Sequence, residues 1–262
     1  MDRAVESNRI LMDAWDVMNR DAPGFEKLRG GVLEASWCGL PSPFFNLVVT
    51  ARHPESLNEF ESSLNDLQHW AAARKVPWIL TLGHEMLGDM MPAAERILDA
   101  AGFGPMMPLT GMEATVLNPP GRPSPEGAYL TEAHAGVGGK TLRVNEAGYQ
   151  MKFAEPGAFQ MEHAGWWGAP DRMVTLVEVD QVPISCTAVF NVGGVRYVAL
   201  VATLPSVQRK GYAEAAMRDV LNRSLSAGLH SRTYLHASAV GRPVYERMGY
   251  TVTANYTIYA AK

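Results

Sequence analysis

Cysteine is scarce: Cys38 and Cys186 are the only two in 262 residues, and no C-x-x-C pair occurs. Neither a disulfide framework nor a thiolate zinc site is expected. Charge of one sign is missing too. Lys and Arg number 23 against 27 Asp and Glu, a formal net charge of -4, so there is no basic field to draw a nucleic acid. No apolar run is long enough to span a bilayer, and no membrane role is expected. The first residues, Met-Asp-Arg-Ala-Val-Glu, hold no basic segment followed by an apolar one; no export signal is read, and a cytoplasmic protein is expected. The histidines show no H-E-x-x-H or other ligand spacing, so no catalytic metal is expected. What is present is a globular composition, 47% hydrophobic and 19% charged. Such a chain can bury one large core or two smaller ones.

Proline and glycine gather in one place. The segment Asn118-Pro119-Pro120-Gly121-Arg122-Pro123-Ser124-Pro125-Glu126-Gly127 has four prolines and two glycines, which bars helix and central strand and predicts an extended linker. The division expected is a domain over 1–118, a linker over 119–127 and a domain over 128–262.

In the first half, Ile10, Leu11, Ala14, Trp15 and Met18 mark one helix face. Strands are expected over 31–37, 44–50 and 78–82. Ser56 and Glu59 form a capping box, followed by Leu57, Phe60, Leu64, Leu67 and Ala71 at helical spacing. A further helix over 93–101 closes at Gly102. In the second half, strands are expected over 172–179, 182–191 and 195–203, with Asp180-Gln181 and Gly193-Gly194 as hairpin turns. A helix from Gly211 turns Met217, Val220, Leu221 and Leu225 inward and ends at Gly228. Then come a strand over 232–237, a short helix opened by Arg242-Pro243 and closed by Gly249, and a strand over 251–259.

The halves read as diverged copies of one unit. Residues 45–54 parallel 196–205, and 94–103 parallel 241–250. With Pro54 set on Pro205, Phe60 falls opposite Gly211, so the first copy keeps the scaffold and loses the glycine.

That glycine belongs to the most informative stretch. Val198-Ala199-Leu200-Val201-Ala202-Thr203 is a strand, and after Pro205 the run Gln208-Arg209-Lys210-Gly211-Tyr212-Ala213 opens a helix. A strand feeding a helix start with glycine in its first turn can offer bare backbone amides to a phosphate. Arg209 and Lys210 add positive charge at the rim, and Gly211 and Ala213 keep the approach small. On its residues this is a pyrophosphate cradle, although a lone Q-x-x-G-x-A string would be an ordinary strand–helix connection.

This stretch resembles the Q/R-x-x-G-x-G/A motif of the GNAT superfamily of acyl-CoA-dependent N-acyltransferases. A second segment, Leu235 onward through Tyr245-Glu246-Arg247-Met248-Gly249-Tyr250, resembles that family's second cofactor segment with its Tyr-x-x-x-Gly-aromatic ending. The resemblance runs from about Arg172 to the C-terminus and is vague over 129–168. It implies an α/β chain of two GNAT-like units, each a mostly antiparallel mixed sheet flanked by helices. It implies acetyl-CoA as co-substrate. Coenzyme A would lie along the edge of Val201, Ala202 and Thr203, with its pyrophosphate on the turn formed by Gln208, Arg209, Lys210, Gly211, Tyr212, Ala213 and Glu214. Ser238 stands where many relatives carry an asparagine that touches the cofactor. Tyr245 matches the tyrosine implied to protonate the leaving thiolate, and a backbone amide near Val201 is the implied oxyanion donor.

Amine attack on a thioester also needs a neutral amine. Glu178, Glu162, His163 and His236 are candidate bases, with none preferred. Trp166 and Trp167 are either a pocket wall or plain packing. The function expected is transfer of an acetyl group to a primary amine of a small molecule or peptide by a monomer or homodimer. The alternative is an acyl-CoA-binding regulatory module without turnover. Gly136-Val137-Gly138-Gly139-Lys140-Thr141 suggests a P-loop, but that motif needs glycine where His134 stands; it is read as a flexible glycine-rich turn.

Overall fold

The computed structural model describes residues 2–132, 137–152, 159–162 and 164–262. His134, Gly136 and His163 lie outside them. In chain order the elements are α1 (Arg3–Asn19), β1 (Glu26–Leu28), β2 (Leu33–Trp37), β3 (Asn46–Thr50), α2 (Leu57–Ala72), β4 (Ile79–Gly83), α3 (His84–Leu87), α4 (Met91–Ala100) and β5 (Phe103–Ala114). They continue with β6 (Tyr129–Glu132), α5 (Val137–Tyr149), β7 (Arg172–Val179), β8 (Val182–Val192), β9 (Val195–Thr203), α6 (Tyr212–Ser226), β10 (Thr233–Ser238), α7 (Arg242–Arg247) and β11 (Thr251–Ala261). The expected class, a mixed α/β chain, is what is found.

Two compact units form, and they do not follow the order of the chain. The first holds Met1–Met112, His236–Pro243 and Thr251–Lys262; the second holds Glu113–Leu235 and Val244–Tyr250. A boundary at the proline-rich segment does not describe this division, because the last strand returns to the first unit. There β11 pairs antiparallel with β4, from Tyr256 opposite Gly83 to Ala260 opposite Ile79. Ala254, Tyr256 and Ile258 bury alternate positions along it, as the two-residue period of a strand requires.

In the first unit β1, β2 and β3 are antiparallel neighbours and β3 runs parallel to β4, with α2 as the crossover. Phe60, Leu64 and Leu67 of α2 and Leu98 of α4 pack with Leu33, Val48, Leu80 and Tyr259. Ser56 Oγ accepts from Glu59 N at 3.2 Å, as the capping box predicts.

In the second unit β6, β7, β8 and β9 are antiparallel neighbours. The pair β9–β10 is parallel, with α6 as the crossover. Both units thus run antiparallel strands into a parallel strand–helix–strand crossover, the same order in each. Asp180 and Gln181, and likewise Gly193 and Gly194, have positive φ at both turn positions, as a two-residue hairpin of right-twisted strands demands.

One reading needs correction, and one element was not read. Residues Val137 to Thr141 are not a flexible turn but the start of α5. Gly138 serves packing: a Cβ there would collide with Met161 O and stand 2.8 Å from Trp167 Nε1. The unread element is β5, which no periodicity announces because Gly104, Pro105, Pro108 and Gly111 interrupt it.

Candidate active site

The centre of the second unit is an irregularity in β9. Cys186 pairs with Ala202 and Ala188 with Ala199, so Leu200 and Val201 together face Thr187 alone. This is a β-bulge. Leu200 adopts a left-handed φ of 53°, a conformation that side chains other than glycine and asparagine rarely take. Its strain is offset by side chains of α5 and β8. Asn145 Nδ2 and Cys186 Sγ each donate to Leu200 O at 3.3 Å, and Tyr149 Oη donates to Val201 O at 2.9 Å. On the other side of the bulge β9 and β10 are registered through Arg196–Thr233 and Tyr197–Tyr234.

The edge of Val201, Ala202 and Thr203, along which the resemblance places coenzyme A, has its three carbonyls engaged. Val201 O is held by Tyr149, Ala202 O by Ser185 Oγ at 2.7 Å, and Thr203 O by Gln208 Nε2 at 3.3 Å. Gly148 of α5 lies so close that a Cβ would come within 3.0 Å of the Ala202 Cβ.

Beyond Pro205 the chain enters α6 through a turn in which Arg209 has φ 66° and Gly211 φ 95°. No side chain caps this helix start. Among the described hydrogen bonds none uses the amides of 209–214 as donors, and the first helical bond is Ala215 N to Gly211 O. Gln208, Arg209 and Lys210 are exposed and Gly211 to Glu214 half-buried, so the turn faces solvent. Uncapped amides at a helix start, beside two left-handed residues, attract an anion. Tyr212 itself packs on Val177, Ile184 and Ala216, and Glu214 is paired with Arg218 at 2.8 Å. Neither side chain reaches toward the turn's free side as a ligand; what they contribute there is backbone.

The proline-rich segment is fixed against this turn. Asn118 N donates to Met248 O at 2.9 Å, its Nδ2 to Arg247 O at 3.1 Å, and Arg218 donates to Asn118 O at 2.9 Å. Further along, Arg122 Nη1 donates to Arg209 O at 3.2 Å. The guanidinium lies over Gly211, where a Cβ would stand 3.0 Å from its Nε. Pro120, Arg122 and Pro125 line a shallow pocket with Gly211, Glu214 and Arg218. The sequence reading missed Arg122; an arginine alone among prolines was the available signal.

Tyr245, on α7, is 8% exposed, its ring 6.1 Å from that of Tyr250. Burial, with Tyr149 and Tyr250 nearby, pushes its phenol well above the usual tyrosine range. It stays protonated at any working pH. No hydrogen bond of its hydroxyl is found among the described residues.

Ser238 ends β10 in the first unit, where its Oγ accepts from Gly241 N at 3.3 Å. Of the candidate bases, Glu178 is paired with Lys140 at 2.9 Å and Glu162 with Arg143 at 2.9 Å. His236 is in the first unit; its Nε2 meets Ser7 Oγ at 3.2 Å and its ring lies against Tyr256. Burial pushes it down to about 3, which makes it a poor proton acceptor near neutrality. Trp166 and Trp167 are buried against each other, with Arg172 over Trp166; they pack rather than wall a pocket.

The corresponding helix start in the first unit is closed by its own side chains. Glu59 Oε2 accepts from Glu55 N at 2.6 Å and Ser56 Oγ takes Glu59 N. A carboxylate already sits where an anion would bind.

Residues 143–250 match the model of the acetyltransferase (GNAT) family. No curated protein matches the chain. Among solved structures, a GCN5-related N-acetyltransferase from Kribbella flavida is similar with TM-score 0.71 and 19% identity, over 100% of this chain and 96% of that one. One from Sphaerobacter thermophilus gives TM-score 0.61 and 13% identity, over 98% and 92%. A tandem GNAT protein from the clavulanic acid biosynthesis pathway gives 0.53 and 12%, over 98% and 96%. The fold is shared along the whole chain. Among the described residues no group of side chains could hold a metal ion, and no helix is long and apolar enough to cross a membrane.

Proposed function

We propose that this protein transfers an acetyl group from acetyl-CoA to a primary amine of a small molecule or peptide, and that the chemistry runs in the second unit. The observation that carries this reading is the uncapped turn 209–214 at the end of a bulged strand. Its amides and the positive end of α6 would hold the pyrophosphate. Arg122, already over Gly211, would add a guanidinium suited to phosphate oxygens. The pantetheine arm would follow Val201, Ala202 and Thr203. For it to use carbonyls there, Tyr149 and Gln208 must release those of Val201 and Thr203.

The amine nitrogen attacks the acyl carbon, the carbonyl oxygen takes the charge, and the carbon–sulfur bond then breaks. The Val201 amide would donate to that oxygen. Tyr245, protonated because it is buried, would meet the departing thiolate as a donor. Any proton it gives is restored from the ammonium formed on attack. No side chain is assigned as base, so the amine would arrive neutral or lose its proton through water.

Calorimetric titration with acetyl-CoA should give one equivalent bound per chain, because the helix start in the first unit is occupied. Thiol release should follow on adding an amine from a panel of polyamine, aminoglycoside, amino acid and peptide. Tyr245→Phe should lower kcat about 100-fold or more with acetyl-CoA affinity nearly intact. Saturable binding without turnover on any amine would instead support a binding module.

A further inference from the structure

We infer that Asn145 is a positioning residue that aims the Val201 amide at the acyl oxygen. This rests on the acyl-transfer reading above. Asn145 is fully buried in α5 and its Oδ1 has no hydrogen-bond partner. A core position that served packing alone would favour a leucine, since a buried amide oxygen left unpaired is a cost. The other end of the amide is fully used. The two N–H groups of Nδ2 are shared among three acceptors, Thr141 O and Cys186 Sγ at 3.0 Å and Leu200 O at 3.3 Å.

Those partners fix the direction of one peptide group. In a regular strand successive carbonyls point to opposite sides. Here Leu200 O and Val201 O both accept from the same helix, through Asn145 and through Tyr149 one turn later. The left-handed Leu200 sets the direction of its own carbonyl relative to that of Ala199. In a planar trans peptide the C=O and the following N–H point in opposite directions. Turning Leu200 C=O toward α5 therefore turns Val201 N–H away from it. Asn145 and Cys186 hold that carbonyl and so orient the amide before substrate arrives. Preorganised donors of this kind need no rearrangement at the moment of reaction.

The test uses the full chain with acetyl-CoA and the amine panel. Asn145→Leu keeps the volume and loses the donor. It should lower kcat roughly 10- to 100-fold, leave the acetyl-CoA dissociation constant within about twofold, and leave the unfolding midpoint unchanged or raised. A merely structural role would do the reverse, lowering the midpoint and the affinity together. Asn145→Asp is the second variant, should the leucine protein not fold. Its carboxyl donates only while protonated, so its kcat relative to the unchanged protein should fall as pH rises. The titratable group facing it, the Cys186 thiol, is pushed up to about 12 by burial and stays neutral over that range. If the unchanged protein turns over while both variants keep full kcat, this inference is overturned and the proposed function stands. If the unchanged protein binds acetyl-CoA and never releases thiol, both are overturned.

Discussion

Gly211 is the residue on which binding and backbone geometry meet. Its φ of 95° is costly for any side chain, and an added Cβ would press on Arg122. Gly228, at the other end of α6, has φ 83° and open space where a Cβ would go. The pair separates strain from site. Gly228→Ala should cost about 1–2 kcal/mol of stability and leave acetyl-CoA affinity unchanged. Gly211→Glu should lose a similar amount through the backbone. In addition its carboxylate would stand among the amides meant for phosphate, so titration should show affinity reduced by at least about 100-fold. Equal affinity in the two variants would remove the turn from the site. At the level of residues, the positive-φ turn at Gly211 with its exposed Arg209 and Lys210 follows from the strand–loop–helix pattern, while Tyr245 was read only through the family resemblance. Arg122 and Asn145 were not legible, because their roles depend on where a linker and a helix come to rest.

At the scale of elements, α5 shows why a local reading fails. Two adjacent glycines cost a helix about 1 kcal/mol each relative to alanine, so Gly138-Gly139 reads as a turn. Packing overrides that propensity. The backbone at Met161 approaches Gly138 too closely for any side chain, whereas a Cβ on Gly139 would meet nothing within 4 Å. The two positions should therefore respond with opposite signs. Gly139→Ala should raise stability by about 0.5–1 kcal/mol through helix propensity. Gly138→Ala gains the same propensity but overpacks against main chain, a cost of about 1–3 kcal/mol or more, and should be destabilised. Urea midpoints of the two variants decide this, and a stabilised Gly138→Ala would mean that α5 does not pack as described. The hairpin turns fall at the opposite extreme: Asp180-Gln181 and Gly193-Gly194 are fixed by local chemistry, and they were legible.

For the whole molecule, the destination of β11 is what the sequence could not disclose. Its alternation marked a strand, but a strand's partner is set by long-range pairing that leaves no local trace. Because β11 lies beside β4 in the first unit, neither half of the chain is a folding unit by itself. Tyr256, Ile258 and Tyr259 are each no more than 3% exposed there. At about 1.5–3 kcal/mol per large side chain, their burial contributes about 5–9 kcal/mol, comparable with the total stability of an ordinary domain. Deleting 251–262 should therefore unfold the first unit, seen as loss of its cooperative melting transition. A fragment of 126–262 should carry β11 as an unpaired apolar strand and aggregate, as exposed strand edges do, with light scattering as the readout. A monomeric, cooperatively melting fragment of 126–262 would show instead that β11 finds an equivalent place in its own half, and that pairing with β4 is one option rather than a requirement of the fold.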